Sequence, residues 1–185
     1  MFNRRWLTQL KKSYHLKNSS RQIIMAACLP LGHEAKKIIF GLQRGEDQKL
    51  ALAKIKKSFL LLLKKFGRDR LFREGAFRAA LEEYIEAVFL ETVLNNKNIS
   101  PLSEVELDAD IYLAALSDVS GELVRRTINL ISAHNIKEAR RLIDAGKTIV
   151  DELLEFDMTG GLRTKYDQAR NNLRKLEQLN YEISK

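Results

Sequence analysis

Cysteine, proline and glycine are scarce in this chain, and each scarcity excludes a class of structure. The single cysteine, Cys28, cannot close an internal disulfide, which argues against a disulfide-stabilised scaffold and predicts a reducing, cytoplasmic setting. Only 2 prolines and 9 glycines interrupt the 185 residues, and no stretch has the apolar–polar alternation of a strand. The sequence therefore predicts an all-α fold, an antiparallel bundle of about six to seven long helices.

Motifs for membrane insertion and for zinc binding are also missing. Apolar runs such as 59–63 (FLLLL) are far too short to cross a bilayer, and no long apolar segment follows the basic first residues. We therefore expect neither a membrane span nor a secretory signal. His15, His33 and His134 are scattered and form no HExxH or Cys/His cluster, which argues against zinc. Cys28 lies in the apolar segment IIMAACL and is predicted to be a core residue.

Charge is unevenly distributed along the chain. Residues 1–73 hold 18 Lys and Arg against 4 Asp and Glu, a balance of +14. Residues 74–185 hold 14 against 20, a balance of −6, and the two parts add to the net charge of +8. A basic part beside an acidic part fits a polyanion-binding surface next to a metal site. The alternative is that the lysines only solvate long helices, as in KKSFLLLLKKF.

The chain divides into a short arm and one helical domain. Residues 1–18 carry apolar side chains at four-residue spacing with basic residues between them, namely Phe2, Trp6, Leu10 and Tyr14. This basic amphipathic arm needs a partner for its apolar stripe, which could be the protein's own core, another subunit or a nucleic acid. We expect it to dock on one of these. Residues 19–185 are predicted to form a single domain.

Caps and turn residues predict where the helices begin and end. Asn18-Ser19-Ser20 is predicted to cap a helix that ends near Arg44 and that Pro30 kinks or divides. Asn135 is predicted to cap a later helix, and a loop is expected over 95–103. Three of the remaining helices are predicted over 47–66, 70–96 and 162–184. Another is predicted to begin at Ser103 or Asp108 and to end near 134, and the helix capped by Asn135 is predicted to end near 156.

Two pairs of acidic residues are the strongest chemical signal. Glu83 and Glu86 are three residues apart in EEYIEAV, and Asp118 and Glu122 are four apart in SDVSGEL, so each pair shares one face of its helix. Two such faces brought together would form a four-carboxylate pocket, the usual protein contribution to a Mg²⁺ or Mn²⁺ site. The alternative is a solvated acidic face, because Glu pairs at this spacing are common on exposed helices.

Neighbouring residues favour burial of part of this quartet. Leu90 and Val93 share the side of the helix on which Glu86 lies, which predicts that Glu86 is shielded, whereas Glu83 is predicted to be more exposed. Gly121 costs roughly 1 kcal/mol relative to Ala in a helix interior, and we expect the close approach of another backbone to explain it.

Arginines precede the first acid pair and follow the second. Arg68, Arg70, Arg73 and Arg78 lie on the same predicted helix as Glu83 or at its entry, and Arg125 follows Glu122. They are predicted either to bind the phosphates of a nucleic acid near the metal or to solvate the surface.

Four segments resemble the translin superfamily, and its catalytic branch, translin-associated factor X, more than translin itself. The matching segments extend from about residue 20 to the C-terminus: SRQIIMAACLPLGHEAKKIIFGLQR, EEYIEAVFLET, DADIYLAALSDVSGELVRRTINL and GLRTKYDQARNNLRKLEQLNYEI. The specific parts are EYIEAV, and DVSGEL followed by RxxIN.

The resemblance implies a seven-helix subunit of a hollow, octamer-like shell, here a homo-oligomer. It implies a Mg²⁺-dependent endoribonuclease for single-stranded RNA, whose catalytic acids match Glu83, Glu86, Asp118 and Glu122. In translin the positions matching Glu83 and Glu86 are basic and aromatic, so the four acids here favour the catalytic branch. Arg78 matches a translin position implicated in nucleic-acid binding. The long insertion that some factor X chains carry between the acid pairs is missing.

Two other functions remain open at the level of sequence. One is a non-catalytic oligomer of translin type that binds single-stranded RNA or single-stranded DNA without a metal. The other is an all-helical nucleoside triphosphate pyrophosphohydrolase, although that family pairs ExxE with ExxD and the second pair here is DxxxE.

Overall fold

Helices account for all the regular secondary structure in the part of the chain that the structure describes. The structure is a computed structural model and describes residues 2–102 and 108–185. Its helices are α1 (Arg4–Arg44), α2 (Lys49–Phe66), α3 (Arg68–Phe72), α4 (Gly75–Leu94), α5 (Ala109–Ser132), α6 (Ile136–Leu154) and α7 (Gly160–Glu182). The predicted all-α fold is confirmed. None of these helices is long and apolar enough to cross a membrane.

The first helix differs from its prediction at its start and at Pro30, and agrees with it at its end near Arg44. It begins at Arg4, where the Asn3 side chain accepts a hydrogen bond from the Trp6 amide, so the predicted cap at residues 18–20 lies inside it. It also continues through Pro30. A proline removes one backbone hydrogen bond, but the buried residues that follow Pro30 in α1 pack against the other helices and stabilise the next turns. The helix ends at Arg44, and Gly45 caps it with a φ of 82° that suits glycine.

The helix predicted over 70–96 is two helices. The break falls at Arg73 and Glu74, where Glu74 has extended backbone angles of φ −103° and ψ 115°. Its carboxylate is 6% exposed, accepts a hydrogen bond from Arg70 and lies 3.5 Å from Arg21 Nε. The helix break thus places the buried Glu74 carboxylate against two arginines. The helical pattern of apolar residues in the sequence does not predict this break.

The predicted cap at Asn135 and the predicted helix start at Asp108 are both present. The Asn135 side chain accepts a hydrogen bond from the Glu138 amide at 3.3 Å and begins α6 as predicted. Asp108 caps α5 by accepting from the Ile111 amide at 3.3 Å. The alternative start at Ser103 lies outside the described residues.

Helix α4 lies at the centre of the bundle and contacts α1 on one side and α5 on another, while α5 also packs on α6 and α7. Its aromatic side chains meet those of α2, with the rings of Phe59 and Phe77 5.8 Å apart. Burying each such side chain is worth roughly 1.5–3 kcal/mol. Because α4 is covered on several sides, a polar residue in its middle is enclosed by protein.

The N-terminal part of α1 does not dock on the core of its own chain, the first of the three partners considered for it. Phe2, Trp6, Leu10 and Tyr14 are all exposed, and Ile24 is the first buried residue of the helix. The amphipathic arm of residues 1–18 is therefore, from Arg4 on, a helical extension whose apolar stripe faces solvent in the single chain.

Candidate functional site

The two acid pairs meet at one cleft. A cavity of about 420 Å³ is bordered by α1, α4, α5 and α7, and its lining includes Glu83, Glu86, Asp118 and Glu122. The predicted spacings place the side chains as expected, because residues three or four apart lie on one helical face. We call this cavity the acid cleft.

Gly121 allows α7 to pack closely beside the second pair. A Cβ added there would lie 3.2 Å from the Nδ2 atom of Asn172, a residue that is 6% exposed. The same amide donates to the Ser120 hydroxyl at 3.0 Å. The expected close approach is present, but a side-chain amide makes it and not another backbone.

Glu86 is the most enclosed acid of the cleft. It is 7% exposed, and it has no hydrogen-bond or ion-pair partner among the residues that the structure describes. Burial raises the pKa of Glu86 to about 8, with further upward contributions from Asp118, Glu83 and Glu122 and an opposing one from Lys165. The predicted shielding of Glu86, and the greater exposure of Glu83, are confirmed.

The other three acids each contact a cation or an amide. Lys36 Nζ lies 3.0 Å from Glu83, and this hydrogen bond and charge raise the pKa of Lys36. Gln43 Nε2 donates to Glu122 Oε2 at 2.7 Å. Asp118 accepts a hydrogen bond from Lys165.

Lys165 joins three helices through one ammonium group. From α7 it contacts Asp118 on α5, and it lies 3.0 Å from Glu82 on α4. Burial alone lowers the pKa of Lys165, but the hydrogen bonds to Asp118 and Glu82 outweigh it, and the net pKa is raised. The ammonium group is therefore held charged beside the cleft.

The residues of the acid cleft fit a divalent cation in chemistry but do not yet surround one. Four carboxylates are the oxygen ligands that Mg²⁺ and Mn²⁺ prefer, and Glu86 is buried without a partner among the described residues. However, within 2–102 and 108–185 no three His, Cys, Asp or Glu side chains are grouped so that they could hold an ion. The four acids share a cleft, but three of them already have a partner within the protein. Glu83 contacts Lys36, Asp118 contacts Lys165, and Glu122 contacts Gln43.

Three of the predicted nucleic-acid-binding arginines make contacts within the protein. Arg78 donates to both Asp108 oxygens, at 2.6 and 3.3 Å, and joins the starts of α4 and α5. Arg70 donates to Glu74, and Arg68 lies over the ring of Phe72 at 4.6 Å. These contacts support the fold, and a role of the three in nucleic-acid binding stays a prediction.

The other two predicted arginines are more accessible. Arg73 is exposed at the break between α3 and α4 and borders a second cavity with Lys17 and Arg70. Arg125 lines the acid cleft, 3.9 Å from Glu122 and 5.8 Å from the centre of the half-exposed Phe40 ring. Of the five arginines, Arg125 alone lines the acid cleft.

The partners of the acids are not predicted by the sequence. Lys36, Gln43 and Lys165 come from α1 and α7, far in sequence from both acid pairs. Gln43 carried a weak signal, because an amide among apolar residues near a helix end needs a partner. The lysines carried none, since either could equally be a solvated surface residue.

Fold and cleft define the class of this protein: an all-helical bundle whose two middle helices carry paired acids to one cavity. A family model described as the Translin family matches residues 19–184. The chain therefore belongs to the Translin family.

Other known proteins are similar to this chain in sequence or in fold. The chain is 27% identical over 105 residues to an uncharacterized protein of Methanocaldococcus jannaschii, a match that covers 55% of this chain and spans about half of that protein (47%). Two structures of AfC3PO, one described as its complex with duplex RNA, superpose with TM-scores of 0.83 at 17% and 18% identity, covering 96% of each chain. The structure of apo-NeC3PO superposes with a TM-score of 0.78 at 25% identity, covering 94% of each chain.

Proposed function

We propose that this protein is a metal-dependent endoribonuclease that cleaves single-stranded RNA. The observation that carries the proposal is the meeting of two acid pairs, from α4 and α5, at one cleft. Burial of Glu86 without a partner in the described part of the chain supports a cation there, because an uncompensated buried carboxylate is costly.

RNA as the substrate is supported by charge and by a structural relative. The net charge is +8, and Lys36 and Arg125 line the acid cleft. AfC3PO was solved with duplex RNA, so both single- and double-stranded RNA belong in the assay. Binding through the phosphate backbone should weaken steeply with salt, and single-stranded DNA should compete for the same surface.

The exposed arm supports assembly with further copies of the chain. Its apolar side chains face solvent in a single chain, and burying them between copies would stabilise an oligomer. We propose a homo-oligomer, octamer-like, that encloses the clefts.

The chemistry follows from the residues of the cleft. Glu83, Glu86, Asp118 and Glu122 would hold Mg²⁺ or Mn²⁺, which when bound acidifies water and stabilises charge on a phosphate. One of the four acids would accept the proton of the attacking water. The water oxygen bonds to phosphorus while the bond from phosphorus to the ribose oxygen breaks, and the leaving ribose oxygen takes a proton from solvent water. Lys36 and Arg125 orient the backbone.

Replacing one acid tests the proposal. Glu122→Ala should abolish cleavage of labelled single-stranded RNA in Mg²⁺ or Mn²⁺, a loss of at least 100-fold, and RNA binding in EDTA should stay within about threefold. Glu177→Gln, an exposed acid of α7, is the matched control and should cleave like the parent protein. Unchanged cleavage by the Glu122 variant would refute the assignment.

A second candidate is a non-catalytic, translin-type oligomer that binds nucleic acid. It is favoured by the lack, among the described residues, of three acids grouped to hold an ion. It predicts equal RNA binding with Mg²⁺ and with EDTA and no cleavage in either. Hydrolysis of free nucleotides in the same assay would instead indicate a pyrophosphohydrolase.

A further inference from the structure

Asp118, one of the proposed metal ligands, already has Lys165 as a partner. The Lys165 ammonium group contacts Asp118 and also lies 3.0 Å from Glu82 Oε1. The lysine side chain is about one-third exposed (34%), and so is that of Asp118. The two groups therefore meet at the edge of the acid cleft, partly shielded from water, where their attraction exceeds that of a surface pair.

This contact explains why the acids share a cleft without surrounding an ion. Asp118 is directed to Lys165, Glu83 to Lys36 at 3.0 Å, and Glu122 to Gln43 at 2.7 Å. Glu86 alone of the quartet has no partner within the described residues. Each of these contacts occupies one oxygen of its acid, so a cation that takes the same oxygen displaces the existing partner.

The charges of the site leave room for a divalent ion without loss of the lysines. Its acidic residues are Glu82, Glu83, Glu86, Asp118 and Glu122, and its cations are Lys36, Arg125 and Lys165. Five carboxylates against three cations leave two negative charges when all are ionised, the charge that one divalent ion offsets. Lys165 thus need not lose its proton, and it keeps Glu82 as a partner when it leaves Asp118.

We propose that Lys165 is a resident counter-ion that competes with the divalent cation for Asp118, and that metal binding moves its ammonium group onto Glu82. The inference rests on the proposed function, because it concerns the same metal site. It assigns Lys165 a positioning role: it keeps Asp118 in place in the metal-free protein, and the released ammonium group then lies beside the cleft where an RNA phosphate would enter.

The test is Mn²⁺ affinity without RNA, measured by calorimetry and by electron paramagnetic resonance on EDTA-stripped protein. Lys165→Met should bind Mn²⁺ at least tenfold more tightly than the parent, because the competitor is gone. Lys165→Arg keeps the charge and should bind no more tightly than the parent. Arg125→Met removes a cation from the same cleft, 3.9 Å from Glu122 but without contact to Asp118, and should tighten binding less than threefold.

A second measurement guards against a folding defect. In EDTA, Lys165→Met should melt at a lower temperature than the parent, because Asp118 and Glu82 lose their cation, and Mn²⁺ should restore more of the melting temperature in the variant. Lys165→Gln replaces it if the Met variant does not fold. If Lys165→Met binds Mn²⁺ no more tightly than Arg125→Met does, the inference is wrong while the proposed function stands. If neither the parent nor the variant binds Mn²⁺, both fall.

Discussion

Glu74 and Glu86 are two buried glutamates twelve residues apart with opposite surroundings. Glu74 is 6% exposed and contacts two arginines, Arg70 and Arg21. Glu86 is 7% exposed and lies among three other acids of the cleft, with no direct partner in the described chain. Glu74 therefore belongs to a structural ion pair that joins α1, α3 and α4. Glu86 is equally buried but has no such partner in the described chain, an arrangement that the stability of the fold does not require.

The largest expected effect is the contribution of Glu86 to the pH dependence of the free energy of unfolding. Burial raises the pKa of Glu86 to about 8, above the ordinary 4.5, so the folded protein holds a proton that the unfolded chain has released. The free energy of unfolding should therefore fall as pH rises from about 4.5 to 8, by on the order of 5 kcal/mol. Glu86→Gln should lack this loss and exceed the parent in stability at pH 9. Urea unfolding in EDTA at pH 5, 7 and 9 measures it.

Parallel pH profiles of the parent and Glu86→Gln would contradict the assigned burial of this carboxyl. Glu83→Gln is the matched control, because Glu83 lies on the same cleft but has Lys36 as a direct partner. It should not gain stability at high pH, since it loses an ion pair.

A smaller effect of opposite sign is expected for Glu74. Glu74→Gln should lower the free energy of unfolding at neutral pH by roughly 2 kcal/mol, because two arginines lose their charged partner at a buried junction. The exposed Glu177→Gln should change it by less than about 0.5 kcal/mol. A Glu74 variant as stable as its control would show that the junction does not depend on this ion pair.

The comparison also shows what sequence could predict. Glu86 was found because its apolar neighbours and its spacing from Glu83 are local signals that a helix converts directly into position. Glu74 was missed because its role depends on a helix break and on Arg21, which lies 53 residues earlier in the chain. The same applies to Lys36 and Lys165: helical periodicity predicts which face a residue occupies, but not which distant helix lies opposite.

Arg78 is expected to matter for stability more than for binding. Its guanidinium bridges α4 to the start of α5 through two hydrogen bonds to Asp108, and its side chain is 34% exposed. Arg78→Met should cost about 1 kcal/mol of unfolding free energy, measured by urea titration. Stability equal to the parent, with much weaker RNA binding, would favour the nucleic-acid role that its sequence position suggests.

The smallest expected effect is a change in salt dependence at the acid cleft. Arg125 lines the cleft and its side chain is 56% exposed, so it is free to contact a phosphate. Arg125→Met should reduce the slope of log affinity against log salt concentration for single-stranded RNA by about 0.7, the share of one phosphate contact. Arg78→Met, whose guanidinium is already bound to Asp108, is the matched control and should leave the slope unchanged. Fluorescence anisotropy in EDTA at several salt concentrations measures both, and equal slopes for the parent and Arg125→Met would place the RNA backbone away from this side of the cleft.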